Sequence, residues 1–244
     1  MILAILLTAI CVLLDNIDSV KYIGQDGGPS VFYFLFFSIS YGGLFGHYLL
    51  PAMCAMPFAT AFLEDYEHHF LVYMAGRTGK QNYLLSKYAV SILLGGITSA
   101  VGIAVLIAVL SIWCPAIADD ELDPESCYLS FVTLKNGMSY YGYTLYYSFL
   151  TGCMWSGIAA AVSAFIRSRC FTLAVPFIGT FLLTQGLRTL QMPDALRLDM
   201  WLCMRWTIRS ESFTMALSAS MVIGILLLAG VAFMRKGGKL IENA

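Results

Sequence analysis

Apolar residues dominate this chain in long windows that contain no Asp, Glu, Lys or Arg. The windows are residues 1–14, 27–63, 88–118, 136–166, 170–187 and 212–234. A helix rises 1.5 Å per residue, so about 20 apolar residues are needed to cross a hydrocarbon core of about 30 Å. Four windows meet that length and a fifth nearly does. The pattern predicts an all-α integral membrane protein.

We expect about six transmembrane helices in a single transmembrane domain that covers residues 1–244, because no linker or repeat divides the chain. The first window is short, and a cleaved signal peptide is the alternative for it. Such a peptide begins with basic residues, and none precedes Lys21, so a retained helix is favoured. The predicted spans lie at about residues 1–17, 30–57, 84–113, 140–166, 170–188 and 212–234.

Composition also indicates lipid as the main solvent. Of the 244 residues, 59% are hydrophobic and 12% are charged, whereas ordinary globular chains are about a quarter charged. So few charges would leave the surface of a soluble fold uncovered. The formal net charge of −1 argues against a nucleic-acid partner, because such a partner requires a basic face.

The distribution of basic residues predicts that both termini are cytoplasmic. In that orientation the inner segments 64–87 and 167–169 and the tail from Arg235 hold eight of the fourteen Lys and Arg residues. Two of the three outer loops hold one basic residue each, as the positive-inside rule requires. We therefore expect a multi-pass protein of the plasma membrane, most simply the cytoplasmic (inner) membrane of a bacterium.

Two segments between the spans are not simple loops. Residues 58–83 carry both signs of charge and are compatible with helix. Residues 189–211 alternate Leu, Met and Trp with Arg, a pattern that suits short helices lying in the outer interface of the membrane. An aromatic belt around an ordinary loop is the alternative for this outer segment.

Motifs for catalysis are incomplete. The stretch AGRTGKQ at 75–81 resembles a phosphate-binding loop, but Met74 replaces the first Gly, and Gln81 replaces the Ser or Thr that would hold magnesium. The acidic and histidine residues at 64–69 match no metalloprotease spacing. We expect no ATPase site, cofactor or metal in this chain.

Polar side chains inside the predicted spans define a candidate substrate path. An ionisable group within the membrane is a functional hypothesis by default, although an imidazole bonded to a neighbouring helix is the structural alternative. The residues of this path are His47, Thr151 and Gln185.

The cysteines favour packing over chemistry. Five of the seven lie in or beside apolar windows, where a thiol behaves as a small hydrophobic group. A disulfide between Cys114 and Cys127 across a short loop is left open.

The region between the second and third predicted spans resembles the same region of type-2 ABC exporter permeases. It runs from LLPAMCAMPF through an acidic group to a basic stretch that leads directly into the next span. The resemblance covers the whole chain in topology and about residues 45–97 in motif. In that family the segment forms a cytoplasmic coupling helix that docks in a groove of the ATPase subunit. The resemblance implies an ATPase-coupling interface at Glu64, Asp65, Glu67, Arg77, Gly79, Lys80, Tyr83 and Lys87.

The resemblance further implies a permease subunit of an ATP-driven exporter. Its partners would be two copies of an ATP-binding subunit, which carry the ATP and magnesium, and a second permease chain, identical or related. The cargo would be a hydrophobic or amphipathic peptide, drug or lipid. The family usually has a cytoplasmic amphipathic segment before the first span, whereas Met1 already lies in apolar sequence.

Two other functions are compatible with a polytopic membrane protein. One is an enzyme that acts on lipids through the histidine and acidic residues at 64–69. The other is an ion-coupled carrier, but such carriers often place charged groups near the midplane, and the predicted spans are almost free of charge.

Overall fold

The fold was analysed in a computed structural model that describes residues 2–23, 28–40, 43, 48–116, 138–166, 168–191, 193, 197, 200, 202–204 and 210–242. In these ranges the chain contains helices and no strand, so the all-helical prediction is confirmed there. A π-helical turn, Phe36–Ser40, continues the third helix. The helices are α1 (Ile2–Asp15), α2 (Ile17–Val20), α3 (Val31–Leu35), α4 (Leu50–Ala55), α5 (Ala61–Glu67), α6 (Phe70–Thr78), α7 (Lys80–Leu110), α8 (Met138–Ser163), α9 (Arg169–Thr189) and α10 (Glu211–Glu242).

Four of the described helices, α7 to α10, are long and apolar enough to cross a membrane. They coincide with the last four predicted spans, and they indicate a membrane location. Helix α1 has 14 residues, which is short for a crossing. The first two spans, and therefore the count of six, stay predictions.

The predicted second span, 30–57, is not one continuous helix in the described residues. Ser30 caps the short α3 by accepting a hydrogen bond from the backbone N–H of Tyr33 at 3.1 Å. The π turn follows α3, Gly43 is not helical, and Tyr48 and Leu49 form π-helical backbone that leads into α4, which has Pro51 in its first turn. Proline suits that position because it lacks the N–H that a later helical turn would need.

A buried amide joins α1 to this irregular segment. The Nδ2 of Asn16 lies 3.0 Å from the carbonyl oxygen of Val12, 3.3 Å from that of Phe34 and 2.8 Å from Ser38 Oγ. Ser38 Oγ in turn donates to the Val12 carbonyl at 3.1 Å. Buried polar groups are costly unless they are hydrogen-bonded, so this network fixes α1 against the π turn.

Helix α8 occupies the centre of the described bundle. It packs against α7, α10, α4 and α9, and 67% of its apolar window is buried, compared with 39% for α7 and less for α9 and α10. The other long helices therefore pack around α8, and much of their surface is not covered by other described residues of the chain.

Small residues bring α7 and α8 into close contact. A Cβ atom on Gly152 would lie 2.5 Å from the carbonyl oxygen of Gly95, and one on Gly95 would lie 2.3 Å from the Cβ of Ser156. Ser156 Oγ also donates to the carbonyl of Ser91 at 2.7 Å. In lipid, where apolar burial gives little drive for association, such close backbone packing and interhelical hydrogen bonds hold helices together.

The charged residues of several helices gather at one end of the bundle, which we call the charged end. It consists of α5, α6 and the adjoining ends of α7, α9 and α10. His69, in the left-handed region at φ 60°, turns the chain from α5 into α6. Gly79 (φ 83°, ψ 134°) joins α6 directly to α7, and glycine adopts that backbone conformation without steric cost.

Candidate functional site

The first ion pair of the charged end ties α5 to α7. Lys87 Nζ lies 2.7 Å from Asp65 Oδ2, and each side chain is 22% exposed. Tyr83 donates its hydroxyl to the same carboxylate oxygen. Tyr83 precedes the predicted span, and burial, together with this hydrogen bond to the Asp65 carboxylate, raises its pKa. The phenol therefore keeps its proton and its role as donor.

The second ion pair ties α5 to α9. Arg169 donates from Nε to Glu67 Oε2 at 3.0 Å, and its Nη2 donates to the same oxygen. Both side chains are exposed, so the pair contributes little to stability. Its importance is geometric, because Asp65 and Glu67 connect the same short helix to two different long helices, α7 and α9.

The third ion pair joins the start of α7 to the end of α10. Lys80 Nζ lies 2.6 Å from Glu242 Oε1. Glu242 lies beyond the last apolar window, and its hydrogen bond with Lys80 lowers the pKa of its carboxyl. An ion pair thus holds the ends of these two long helices together.

Most of the predicted coupling residues therefore form ion pairs or hydrogen bonds with other residues of this chain. Glu64 accepts a hydrogen bond from Thr60 Oγ1 at 3.0 Å. Arg77 is exposed at the end of α6 and forms no ion pair within the described residues. Since α7 begins at Lys80, Lys80, Tyr83 and Lys87 belong to a long helix and not to a separate coupling helix.

Helix α6 presents an exposed apolar stripe that the sequence analysis missed. Phe70, Tyr73 and Met74 are all exposed, Tyr73 by 70%, while Leu71 and Ala75 on the opposite side are buried. With Arg77 they occupy positions i, i+3, i+4 and i+7 and share one side of the helix. We call Phe70, Tyr73, Met74 and Arg77 the α6 stripe. Its signal in the sequence is the spacing of these residues within FLVYMAGR.

A small cavity lies within the bundle, between the π turn, α4, α8 and α9. Its volume is about 50 Å³, whereas pockets for drug-sized ligands occupy about 300 to 1,000 Å³. In this conformation the cavity has room for only a few atoms, and a larger cargo would require the helices to separate. The lining residues are Ile39, Leu50, Pro51, Ser148, Thr151, Trp155, Thr180, Leu183, Leu202 and Cys203.

The predicted substrate path is only partly assembled at this cavity. Thr151 lines it, and its hydroxyl donates to the Tyr147 carbonyl at 2.9 Å, which leaves the oxygen able to accept. Thr180, across the cavity on α9, donates in the same way to the Pro176 carbonyl at 2.7 Å. Gln185 lies elsewhere on α9, outside the lining residues.

Several predictions fall on residues that the structure does not describe. His47 lies outside the described residues, as does most of the outer segment 189–211. The same holds for Cys127, the candidate disulfide partner of the buried Cys114. Their roles stay predictions.

No family model matches the chain, and neither the curated proteins nor the solved structures include a significant match. Inferences about function therefore depend on the residues and contacts of this chain.

Proposed function

We propose that this chain is the membrane-spanning subunit of an ATP-driven exporter and that its charged end couples to a separate ATP-binding subunit. The α6 stripe is the observation that carries the proposal. Side chains at i, i+3, i+4 and i+7 are the anchors with which an amphipathic helix fits into a groove of a partner protein, and here the first three are apolar and the fourth is Arg77. Aromatic, Met and Arg side chains are also those enriched in protein interfaces.

The contacts of α5 and α6 support a mechanical role for this end. Gly79 connects α6 to α7 without an intervening loop, Asp65 ties α5 to α7, and Glu67 ties α5 to α9. A partner that displaced α6 would therefore shift α7 and α9 together relative to the central α8. Since α8 and α9 line the small cavity, such a shift would change its width.

The complete assembly in this proposal contains six spans per permease chain, two permease chains and two ATP-binding subunits. ATP and magnesium belong to the ATP-binding subunits. The charged end and both termini face the cytoplasm, in agreement with the positive-inside rule. The cargo is a hydrophobic or amphipathic peptide, drug or lipid, and the apolar lining with three hydroxyl side chains suits that class.

Replacing Tyr73 with Asp should abolish the association with the ATP-binding subunit. A carboxylate at the centre of the stripe would be desolvated in the groove, so we expect at least a tenfold lower recovery of an ATPase with the tagged chain from its native membrane. The measurement is ATPase activity and mass-spectrometric identification in the purified complex.

Gly76→Asp is the matched control for Tyr73→Asp. Gly76 is exposed on the same helix but to one side of the stripe, and a side chain there meets no neighbouring atom within 4 Å. Equal recovery of an ATPase with Tyr73→Asp and with the unaltered chain would exclude docking through the stripe. Failure to recover any ATPase with the unaltered chain would contradict the exporter proposal itself.

A further inference from the structure

A basic groove lies at the charged end, between the start of α7 and the end of α10. Its volume is about 330 Å³. Lys80, Arg235 and Lys239 line it together with one carboxylate, that of Glu242. Three cations against one anion leave the groove positively charged. Leu84 and Met234 add apolar surface to the same walls.

Two of the three cations have no hydrogen-bond or ion-pair partner among the residues that the structure describes. Lys80 is paired with Glu242 at 2.6 Å. Neither Arg235 nor Lys239 forms a hydrogen bond or an ion pair within the described residues. The charge of Lys239 contributes to lowering the pKa of Glu242. The groove therefore offers guanidinium and ammonium donors to an anionic ligand without breaking an internal ion pair.

The groove opens onto the apolar flank of α10. Leu228, Val231, Arg235 and Lys239 follow one another at intervals of three or four residues and so share one face of the helix. Leu228 and Val231 are exposed large apolar side chains. A molecule with a charged head in the groove would thus find an apolar surface for its tail along the same helix face.

We propose that this groove binds the phosphate group of an anionic phospholipid from the surrounding leaflet. Arg and Lys form strong, charge-assisted hydrogen bonds with phosphate oxygens, and basic pockets between membrane helices suit phospholipid head groups. Gly238 lies beside the Lys80 side chain in this groove, since a Cβ atom there would lie 2.9 Å from Lys80 Cε. This site does not depend on the exporter proposal.

Lys236 provides a control that distinguishes a specific site in the groove from the general attraction of basic residues to an anionic membrane. It neighbours Arg235 in sequence and carries the same charge, but its Nζ lies 5.9 Å from the ring centroid of Phe165, away from the groove. General attraction would weaken equally on loss of any of these charges. A groove site would weaken only on loss of Arg235 or Lys239.

Native mass spectrometry of the purified full-length chain tests this. In detergent, phosphatidylglycerol and phosphatidylcholine with identical acyl chains are titrated against the unaltered chain and against Arg235→Gln, Lys239→Gln and Lys236→Gln. We expect preferential binding of phosphatidylglycerol, about fivefold weaker in each of the first two variants, as for the loss of one basic contact at a membrane surface. Lys236→Gln should bind like the unaltered chain.

Three results would overturn the site. The first is equal binding of phosphatidylglycerol and phosphatidylcholine. The second is phosphatidylglycerol binding that is weakened equally in all three variants, and the third is phosphatidylglycerol binding that is unchanged in Arg235→Gln and Lys239→Gln. A final arm adds millimolar inorganic phosphate, which should displace phosphatidylglycerol poorly because it lacks the acyl chains. Displacement as effective as that by free phosphatidylglycerol would exclude a lipid site and leave a site for free phosphate. Matching thermal unfolding temperatures verify that each variant is folded.

Discussion

Gly152→Ala should destabilise the folded chain by about 1 to 3 kcal/mol, the cost of overpacking a tight contact. The new methyl group would lie 2.5 Å from the Gly95 carbonyl oxygen and 2.9 Å from the Cβ of Ser99. Backbone cannot move aside as a flexible side chain can, so α7 and α8 must separate. Their separation would also strain the hydrogen bond from Ser156 to the Ser91 carbonyl.

Gly142→Ala on the same helix is the control for this substitution. A Cβ atom at Gly142 meets nothing within 4 Å, and alanine is a better helix former than glycine by about 1 kcal/mol. Thermal unfolding of both variants in the same detergent, followed by tryptophan fluorescence, should lower the midpoint for Gly152→Ala and keep or raise it for Gly142→Ala. Equal midpoints would show that the interface is not as tight as the contacts indicate.

The second large effect is expected at the pair of Asp65 and Lys87. Asp65→Asn removes the charge that compensates the ammonium of Lys87, in a place where each side chain is only 22% exposed. It also weakens the acceptor for the Tyr83 hydroxyl. Because hydrogen bonds to charged groups contribute about 1.5 to 3 kcal/mol, we expect a loss of that order, most of it in the attachment of α5 to α7.

A double-mutant cycle with Lys87→Gln measures this coupling directly. The combined Asp65→Asn and Lys87→Gln variant should lose less stability than the sum of the losses in the two single variants. Each single variant leaves one charge, on Lys87 or Asp65, without its partner, whereas the double variant leaves neither. Faster trypsin cleavage at Arg77 would report the release of α6. Glu64→Gln, which alters an exposed carboxylate that accepts a hydrogen bond from Thr60 Oγ1 on the preceding helical turn, is the control. Strict additivity would rule out a direct Asp65–Lys87 interaction.

The last four spans were predictable because they depend on local composition. A charge-free run of sufficient length can be satisfied in lipid by an α-helix, since all its backbone hydrogen bonds are internal. The predicted span 30–57 has the same composition, yet the structure interrupts it. Hydrophobicity specifies the solvent but not the pattern of hydrogen bonds. The contact between Ser38 in the π turn and Asn16 joins residues 22 positions apart, and local composition does not predict such a contact.

The candidate site was predictable in place but not in detail. Mixed charges at 64–87 predicted a polar segment compatible with helix between two apolar windows, and α5, α6 and the start of α7 are helical there. Which charges pair cannot be read from spacing, because Glu67 and Arg169 come together only when α5 packs beside the start of α9. The spacing of Phe70, Tyr73 and Met74 shows that they share one face of α6. Sequence does not show that this face is the exposed one, because the opposite face, with Leu71 and Ala75, is apolar too.

The central place of α8 has a consequence for how the protein is made. Among the four long helices described, α8 has the lowest mean hydropathy and the largest buried share. Alone in lipid it would expose the serine hydroxyls and the close-packing glycine that α7 covers in the finished bundle. Helix α7 is synthesised first and presents Ser91 and Gly95 as α8 emerges. We therefore expect α8 to enter the bilayer paired with α7, and an isolated α8 segment to insert poorly.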